Sequence, residues 1–171
     1  MQMVKKFLIV SLLIWFFILF FMPKEELYYK LEQRLEERGI KINEKKIESG
    51  IFSLVIYDAT IYVQGIQLAS IEKIDFFTLL LYTSLNLEGL IVDETMRAKL
   101  PTHIADATIN YMVWNPLNIV TDAQGSFGGL QGFANLQERT VHLDFNDSVG
   151  VNAFQSNLTK GENGWYYETS F

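Results

Sequence analysis

The sequence has no cysteine and only two histidines among 171 residues. The chain therefore forms no disulfide. This does not identify its cellular compartment, because an oxidising environment permits disulfides without requiring them. His103 and His142 lie far apart, in no H-x-x-x-H or H-E-x-x-H pattern. The sequence therefore predicts no metal site.

The motifs of common enzyme classes are also missing. There is no G-x-S-x-G elbow, no phosphate-binding P-loop and no dinucleotide-binding fingerprint. The stretch GSFGGLQG, at 125–132, has neither the lysine nor the following helix of a phosphate cradle, so we interpret it as turns and close strand crossings. We expect a protein that is not an enzyme, with no catalytic residue and no cofactor.

Positive charge is scarce after residue 50. Residues 1–50 hold nine Lys or Arg against seven Asp or Glu, whereas residues 51–171 hold five against thirteen. Binding to nucleic acid depends on neutralising phosphates, so this acidic body argues against a nucleic-acid partner. The basic excess lies beside an apolar run, where anionic lipid headgroups would attract it.

The apolar run at residues 7–22 predicts a membrane anchor. Ser11 is its only polar side chain, and at ~1.5 Å of rise per residue it covers roughly 24 Å of a hydrocarbon core about 30 Å thick. A cleaved signal peptide needs small residues after the run, and FFMPKEELYY has none, so a retained signal anchor is favoured over cleavage. The candidate anchor residues are Phe7, Leu12, Trp15, Phe16, Phe20 and Met22.

The flanking charges predict the orientation of this anchor. Lys5 and Lys6 precede the run, and Glu25 and Glu26 follow it. The positive-inside rule then makes residues 1–6 a cytoplasmic tip and places the chain after Pro23 on the opposite side of the membrane.

A second, amphipathic helix is predicted at 23–39. Leu27, Leu31 and Leu35 are spaced by four with Tyr28 beside them, and Gly39 stands where a glycine ends a helix. The apolar stripe is narrow, so we expect the helix to cap its own sheet, with the bilayer surface or a partner helix as alternatives. The pattern is too short to favour a coiled coil.

Residues 40–171 show alternation instead of helical periodicity. Short segments rich in β-branched and aromatic residues recur at spacings near ten, separated by glycine turns. They predict an antiparallel, curved β-sheet domain and a mainly β fold that follows a transmembrane helix and a short amphipathic helix. Residues 76–82 are compatible with a buried strand or with one helical turn.

The phrase DATI occurs twice, at 58–61 and 106–109. Four matched residues do not establish a duplication, and chance similarity between strands is the alternative. In the first copy strict alternation places Ile56 and Asp58 on one face and Ala59 on the other. The candidate lining of an apolar groove is the set at two matched positions, the last residue of each phrase and the second residue beyond it: Ile61, Val63, Ile109 and Tyr111.

The whole arrangement resembles the type II secretion system protein N family and the wider AsmA-like group of bacterial inner-membrane proteins. The resemblance rests on the anchor, the helix ending in RGIKI, the strands in GIFSLVIYDATIYVQGIQLASIEKID, and the later stretches GSFGGLQGFANL and LTKGENGWYYETSF. It implies a single-pass protein of the bacterial inner membrane whose main domain is periplasmic, with no catalytic residues.

Two functions follow from this resemblance as expectations. The first is a non-enzymatic assembly or scaffold subunit of a type II-like protein secretion system, with the lipid bilayer and other envelope or secretion-system proteins as partners. The alternative is an AsmA-like lipid-binding or lipid-transfer module. A lipid carrier needs an open apolar face, whereas a scaffold needs an edge or patch that fits another protein.

Overall fold

The computed structural model describes residues 2–79, 81–96, 101–147, 150–152, 154–161 and 164–171. Two helices come first, α1 (Gln2–Phe21) and α2 (Lys24–Glu36), with a break at Met22 and Pro23. Helix α1 contains all but the last residue of the run expected at 7–22, and α2 lies within the helix expected at 23–39 but ends three residues earlier. Within the described ranges, no helix is long and apolar enough to cross a membrane.

Eleven strands follow in the described part of the chain and form a single antiparallel sheet, which confirms the mainly β fold. Of the segment that was compatible with a strand or a helical turn, residues 76–79 end one strand and Tyr82 begins the next. The strand bounds are β1 (Ile40–Asn43), β2 (Lys46–Ser49), β3 (Ser53–Val63), β4 (Ile66–Leu79), β5 (Tyr82–Val92), β6 (His103–Met112), β7 (Asn118–Gly125), β8 (Gly128–Asn135), β9 (Thr140–Phe145), β10 (Thr159–Lys160) and β11 (Trp165–Ser170).

The strands form a curved, open meander. Their order is β1-β3-β4-β5-β6-β7-β8-β9-β11-β10, and β2 pairs with β3 beside β1. Antiparallel neighbours can be joined by tight turns, so most of this sheet needs no crossover. The consequence is that every second turn of the meander lies at the same end of the sheet.

The pairing register gives the sheet one apolar and one polar face, because residues paired across antiparallel strands point to the same side. We call the first the apolar face. Two of its rows are Leu54, Phe76, Leu85, Ile109, Thr121, Gly132, Leu143 and Tyr167, and Ile56, Ile74, Leu87, Ala107, Ala123, Leu130, Phe145 and Trp165. The polar face carries Tyr57, Lys73, Glu88, Asp106 and Gln124 in one such row.

An irregularity crosses four strands of the sheet. Asp58, Glu72, Gly89 and Ala105 lie in one row and drop out of the register pairs of the described strands β3 to β6. Asp58 and Gly89 have positive φ angles of 51° and 64°. The alternation therefore shifts by one residue at this row, in the manner of a β-bulge.

The shift keeps the apolar face continuous. Ile56 and Ala59 lie in the same buried cluster, on either side of Asp58. Strict alternation had placed these two residues on opposite faces, and that assignment is wrong. The backbone conformation of Asp58 is the reason, because it turns the following residues back toward the core.

Helix α2 packs on its own sheet, as expected, but through a different stripe. Tyr28 and Lys24 are its buried residues, whereas Leu27 and Leu31 are 42% and 54% exposed. The Tyr28 side chain packs with Leu54, Ile56 and Ala59 of β3, so the helix is rotated from the orientation that its leucines suggest.

A buried ammonium group fixes the N-terminal end of α2. Lys24 Nζ donates hydrogen bonds to the carbonyl oxygens of Gly50, at 3.1 Å, and Ile51, at 2.6 Å. These bonds satisfy a charge that would otherwise be costly to bury. They tie the start of α2 to the turn between β2 and β3.

Candidate functional site

Within the described residues, the apolar face has a cover at each of its two ends. Helix α2 covers one end, and Val151, Phe154 and Leu158, from the segment after β9, pack over the other. Between the two covers, four large apolar side chains of the central strands β5 and β6 are only half-buried: Leu85, Leu87, Leu90 and Ile109. A single sheet normally buries such a face against a second layer, so this strip is the feature that calls for a ligand or partner.

The first cover encloses a cavity of about 430 Å³, which we call cavity A. Its three polar residues are Lys24, Tyr28 and Thr78, and its remaining wall is apolar: Met22, Leu27, Leu31, Leu54, Ile56, Ile74, Phe76 and Leu85. The ammonium group of Lys24 is already bonded to two carbonyl oxygens. The cavity is therefore an apolar space between α2 and the sheet.

The hydroxyl of Tyr28 is also engaged. It donates to Glu44 Oε2 at 3.2 Å, and burial, followed by the charges of Glu44 and Glu32, raises the pKa of Tyr28 well above its usual value. The phenol therefore stays neutral at physiological pH and presents its ring to cavity A. No charge on this residue opposes an apolar ligand.

The second cover encloses a cavity of about 640 Å³, which we call cavity B. Small side chains at Ala107 and Ala123 form its floor, since both lie on the apolar face of neighbouring strands. Aromatic contacts hold its wall, because Phe145 meets Phe127 and Phe154 edge-on, with ring centroids 5.8 and 5.6 Å apart. The other apolar lining residues are Pro101, Ile104, Leu130, Leu143, Leu158 and Tyr167, with Thr121 and Asn157 as polar members.

The two cavities lie on one continuous surface. Leu85, which lines cavity A, is followed two residues later on the same face by Leu87, which pairs with Ala107 of cavity B. No register shift separates them on strand β5. An extended apolar molecule could thus lie across the strip and occupy both cavities.

The polar face offers different chemistry. A depression of about 440 Å³ contains the carboxylates of Asp106, Asp122 and Asp144. Among the described residues, no group of three or more His, Cys, Asp or Glu side chains is placed to hold a metal ion.

His142 lies on the polar face in a network of its own. Its ring stacks between Phe133 and Tyr166, Nδ1 is 3.1 Å from Glu168 Oε2, and Nε2 is 3.2 Å from Asp144 Oδ1. Burial opposes protonation, but the hydrogen bonds and charges of the two carboxylates outweigh it and raise the pKa of His142 above its ordinary value. The arrangement cross-links strands β8, β9 and β11.

The six candidate anchor residues are all exposed. Phe7 is 71% exposed, and the lowest value is 36% at Met22, which lies just beyond the end of α1. Their exposure makes α1 an apolar helix that the described part of the chain leaves largely uncovered.

The four candidate groove residues are not brought together. Their register places Ile61, which pairs with Ala69, and Ile109, which pairs with Leu85, on the apolar face. Strands β3 and β6 run antiparallel and are three positions apart, so Ile61 and Val63 lie at the opposite end of the sheet from Ile109 and Tyr111. None of the four lines cavity A or cavity B.

The repeated phrase did mark strands of the apolar face, through different residues. Its alanines, Ala59 and Ala107, are 1% and 8% exposed. Small residues on a strand allow close packing or leave open space above a sheet. The two alanines of the phrase were therefore the sequence signal for a buried or ligand-lined part of the sheet. Tyr28 and Phe127 carried no such signal, because their burial depends on distant segments.

Comparisons with family models, with curated proteins and with solved structures found no match. The resemblance to the type II secretion system protein N family and the AsmA-like group therefore stays a prediction.

Proposed function

We propose that the protein is a non-enzymatic, membrane-attached module that binds lipid acyl chains on the apolar face of its sheet. The observation that supports this most is the pair of cavities, A and B, on one continuous apolar surface. This is the lipid-binding alternative of the two functions expected from the sequence.

The chemistry of the surface favours an acyl chain over a polar ligand. Each methylene group that leaves water for such a surface contributes about 0.8 kcal/mol, whereas a polar group without a hydrogen-bond partner loses free energy. In cavity A the ammonium of Lys24 and the hydroxyl of Tyr28 already have partners. What remains for a ligand is apolar contact.

Helix α1 supports attachment to a membrane. Its large apolar side chains are exposed to between 42% and 87%, and a surface of this kind needs a lipid or protein cover. Its apolar run is shorter than a typical hydrocarbon core, so insertion would involve snorkelling of Lys5 and Lys6 or local thinning of the bilayer. With the bilayer thinned in this way around α1, the positive-inside rule would leave the two lysines on the cytoplasmic side and the β domain on the periplasmic side of the bacterial inner membrane.

The position of cavity A connects the two parts of the proposal. Met22, the residue directly after α1, lines cavity A. An acyl chain leaving the bilayer beside α1 would meet cavity A first and cavity B, across the strip, second.

The test uses adjacent residues that point to opposite faces. A photo-crosslinking amino acid replaces Leu85 on the apolar face or Asn86 on the polar face of strand β5, both of which are half-buried. After irradiation of membranes from cells, mass spectrometry identifies the adducts on the purified full-length chain. We expect lipid adducts at Leu85 and not at Asn86.

Equal lipid adducts at the two positions would contradict the proposal, as would adducts at Leu85 that are only protein. Comparable urea unfolding of the two variants provides the control for folding. A third variant at Leu130, within cavity B, measures whether the ligand reaches across the strip.

The secretion scaffold is a second candidate, and an open sheet edge supports it. Strand β10 pairs only with Trp165 and Tyr166, so within the described residues the outer edge of β11 from Tyr167 to Ser170 has no strand beside it. Such an edge is a template for adding a partner's strand. Crosslinking from Thr169 tests this candidate, and a protein adduct there, with none at Leu85, would favour it.

A further inference from the structure

Exposed apolar side chains gather at one end of the sheet. The turns β2–β3, β4–β5 and β6–β7 all lie at this end because the strands alternate in direction. Each turn carries large apolar residues that are at least 37% exposed. We call this set the apolar rim, and it consists of Ile51, Leu79, Leu81, Val113, Trp114 and Leu117.

Backbone hydrogen bonds make the rim one surface. The amide of Thr78 donates to the Phe52 carbonyl at 2.8 Å, and the amide of Val113 donates to the Leu81 carbonyl at 2.9 Å. Neighbouring turns are therefore joined, and their side chains project from a common edge.

The turns of the rim carry no charge. Residues 50–52, 79–81 and 113–117 contain no charged side chain, whereas the next turn at the same end, between β8 and β9, contains Glu138 and Arg139 and so bounds the rim. Turns are normally polar because water surrounds them, and exposed patches of this kind mark interaction sites. Trp114, 67% exposed, is of the residue type that concentrates at membrane interfaces.

Helix α1 reaches the sheet at this same end. The rings of Phe16 and Phe52 are 5.9 Å apart, and Lys24, at the start of α2, bonds to the carbonyl of Ile51 in the rim. The apolar surface of the helix and that of the rim are therefore continuous. A lipid surface fits both, since a single bilayer would cover the helix and meet the uncharged turns.

We propose that the apolar rim inserts into the headgroup interface of the bilayer that holds α1. This docking would stand the sheet on the membrane by the end where cavity A begins, because Thr78 of cavity A directly precedes Leu79 of the rim and Lys24 of cavity A bonds to Ile51 of the rim. The proposal rests on the membrane attachment proposed above and adds a second contact to it.

The three tryptophans allow a direct test in the full-length chain. Trp15 lies in α1, Trp114 in the rim, and Trp165 in β11 near the other edge of the sheet, in the register row of Ala107. The double variants W15F/W165F and W15F/W114F leave one reporter each. Both are reconstituted in vesicles of phosphatidylcholine and phosphatidylglycerol, with or without a nitroxide on the lipid headgroup.

We expect the nitroxide to quench Trp114 at least about twofold more than Trp165, because interfacial groups lie within roughly 5–10 Å of the headgroups. In the Trp114 reporter, Leu81→Asp combined with Leu117→Asp should reduce the quenching to the Trp165 level. Ile66→Asp is the matched control, since Ile66 is 59% exposed at the opposite end, and it should change nothing.

Two results would overturn the proposal in distinguishable ways. If the protein floats with the vesicles but Trp114 is quenched no more than Trp165, the rim does not dock and the attachment through α1 stands. If the full-length protein does not float with vesicles at all, the attachment is refuted and the rim proposal fails with it.

Discussion

Gly89 provides the sharpest test of how the apolar face stays continuous. Its φ of +64° costs a residue with a side chain about 1–2 kcal/mol. A Cβ at this position would also lie 2.5 Å from the carboxyl carbon of Glu72, and moving that side chain off its rotamer costs about 0.5–1.5 kcal/mol. We expect Gly89→Ala to lower the free energy of unfolding by about 2–3 kcal/mol, as measured by urea denaturation.

Two comparisons separate the backbone cost from the steric cost. Gly65 has a φ of +83° with nothing within 4 Å of a built Cβ, so Gly65→Ala should lose only the backbone part, about 1–2 kcal/mol. Glu72 is exposed, so Glu72→Ala alone should stay within about 0.5 kcal/mol of the wild type. The double variant G89A/E72A should then match G65A. A stability loss below about 0.5 kcal/mol for G89A would refute the conformation assigned to this row.

The remaining predictions concern two polar networks. Because the folded-state pKa of His142 is raised above 6.5, the stability that its protonation contributes is complete below that pH and is lost as the pH rises through the folded-state pKa. NMR titration should show a lower pKa of His142 in E168Q and in D144N. An unchanged pKa in both variants would contradict the network. Lys24→Met removes two charge-assisted hydrogen bonds from buried surroundings, and we expect urea denaturation to show a loss of about 2 kcal/mol. Lys30→Met, at an exposed position of the same helix, should lose less than about 0.5 kcal/mol, and equal losses in the two variants would show that the Lys24 bonds do not stabilise the fold.

Helix α2 shows how much of the structure a local sequence pattern can predict. Its helical character follows from the spacing of Leu27, Leu31 and Leu35, and the structure has a helix there. The face that it buries is set by Tyr28 and Lys24, whose partners lie on β3 and in the β2–β3 turn. Periodicity indicates that a helix has an apolar side, but which side of the helix is buried depends on the surface against which the helix packs.

The candidate groove shows the same limit for strands. The matched positions proposed Ile61 and Ile109 as lining residues of one groove, and the register places both on the apolar face. The sequence pattern could not show that their strands run in opposite directions three positions apart, because pairing order involves residues far apart in the chain. Nor could it place the shift at Asp58, although the glycine at position 89, inside a strand, is a recognised signal of a bulge.

The pattern of side chains along the chain was enough to predict an apolar N-terminal helix, a second helix, and antiparallel strands with one apolar side. These follow from side chains that interact with near neighbours in the chain, so their pattern can be read locally. Long-range contacts were needed to show that Tyr28, Leu54 and Leu85 line one cavity, and that three uncharged turns meet beside the end of α1. The physical reason is that register and strand direction, which decide these meetings, are set by long-range pairing across the whole sheet.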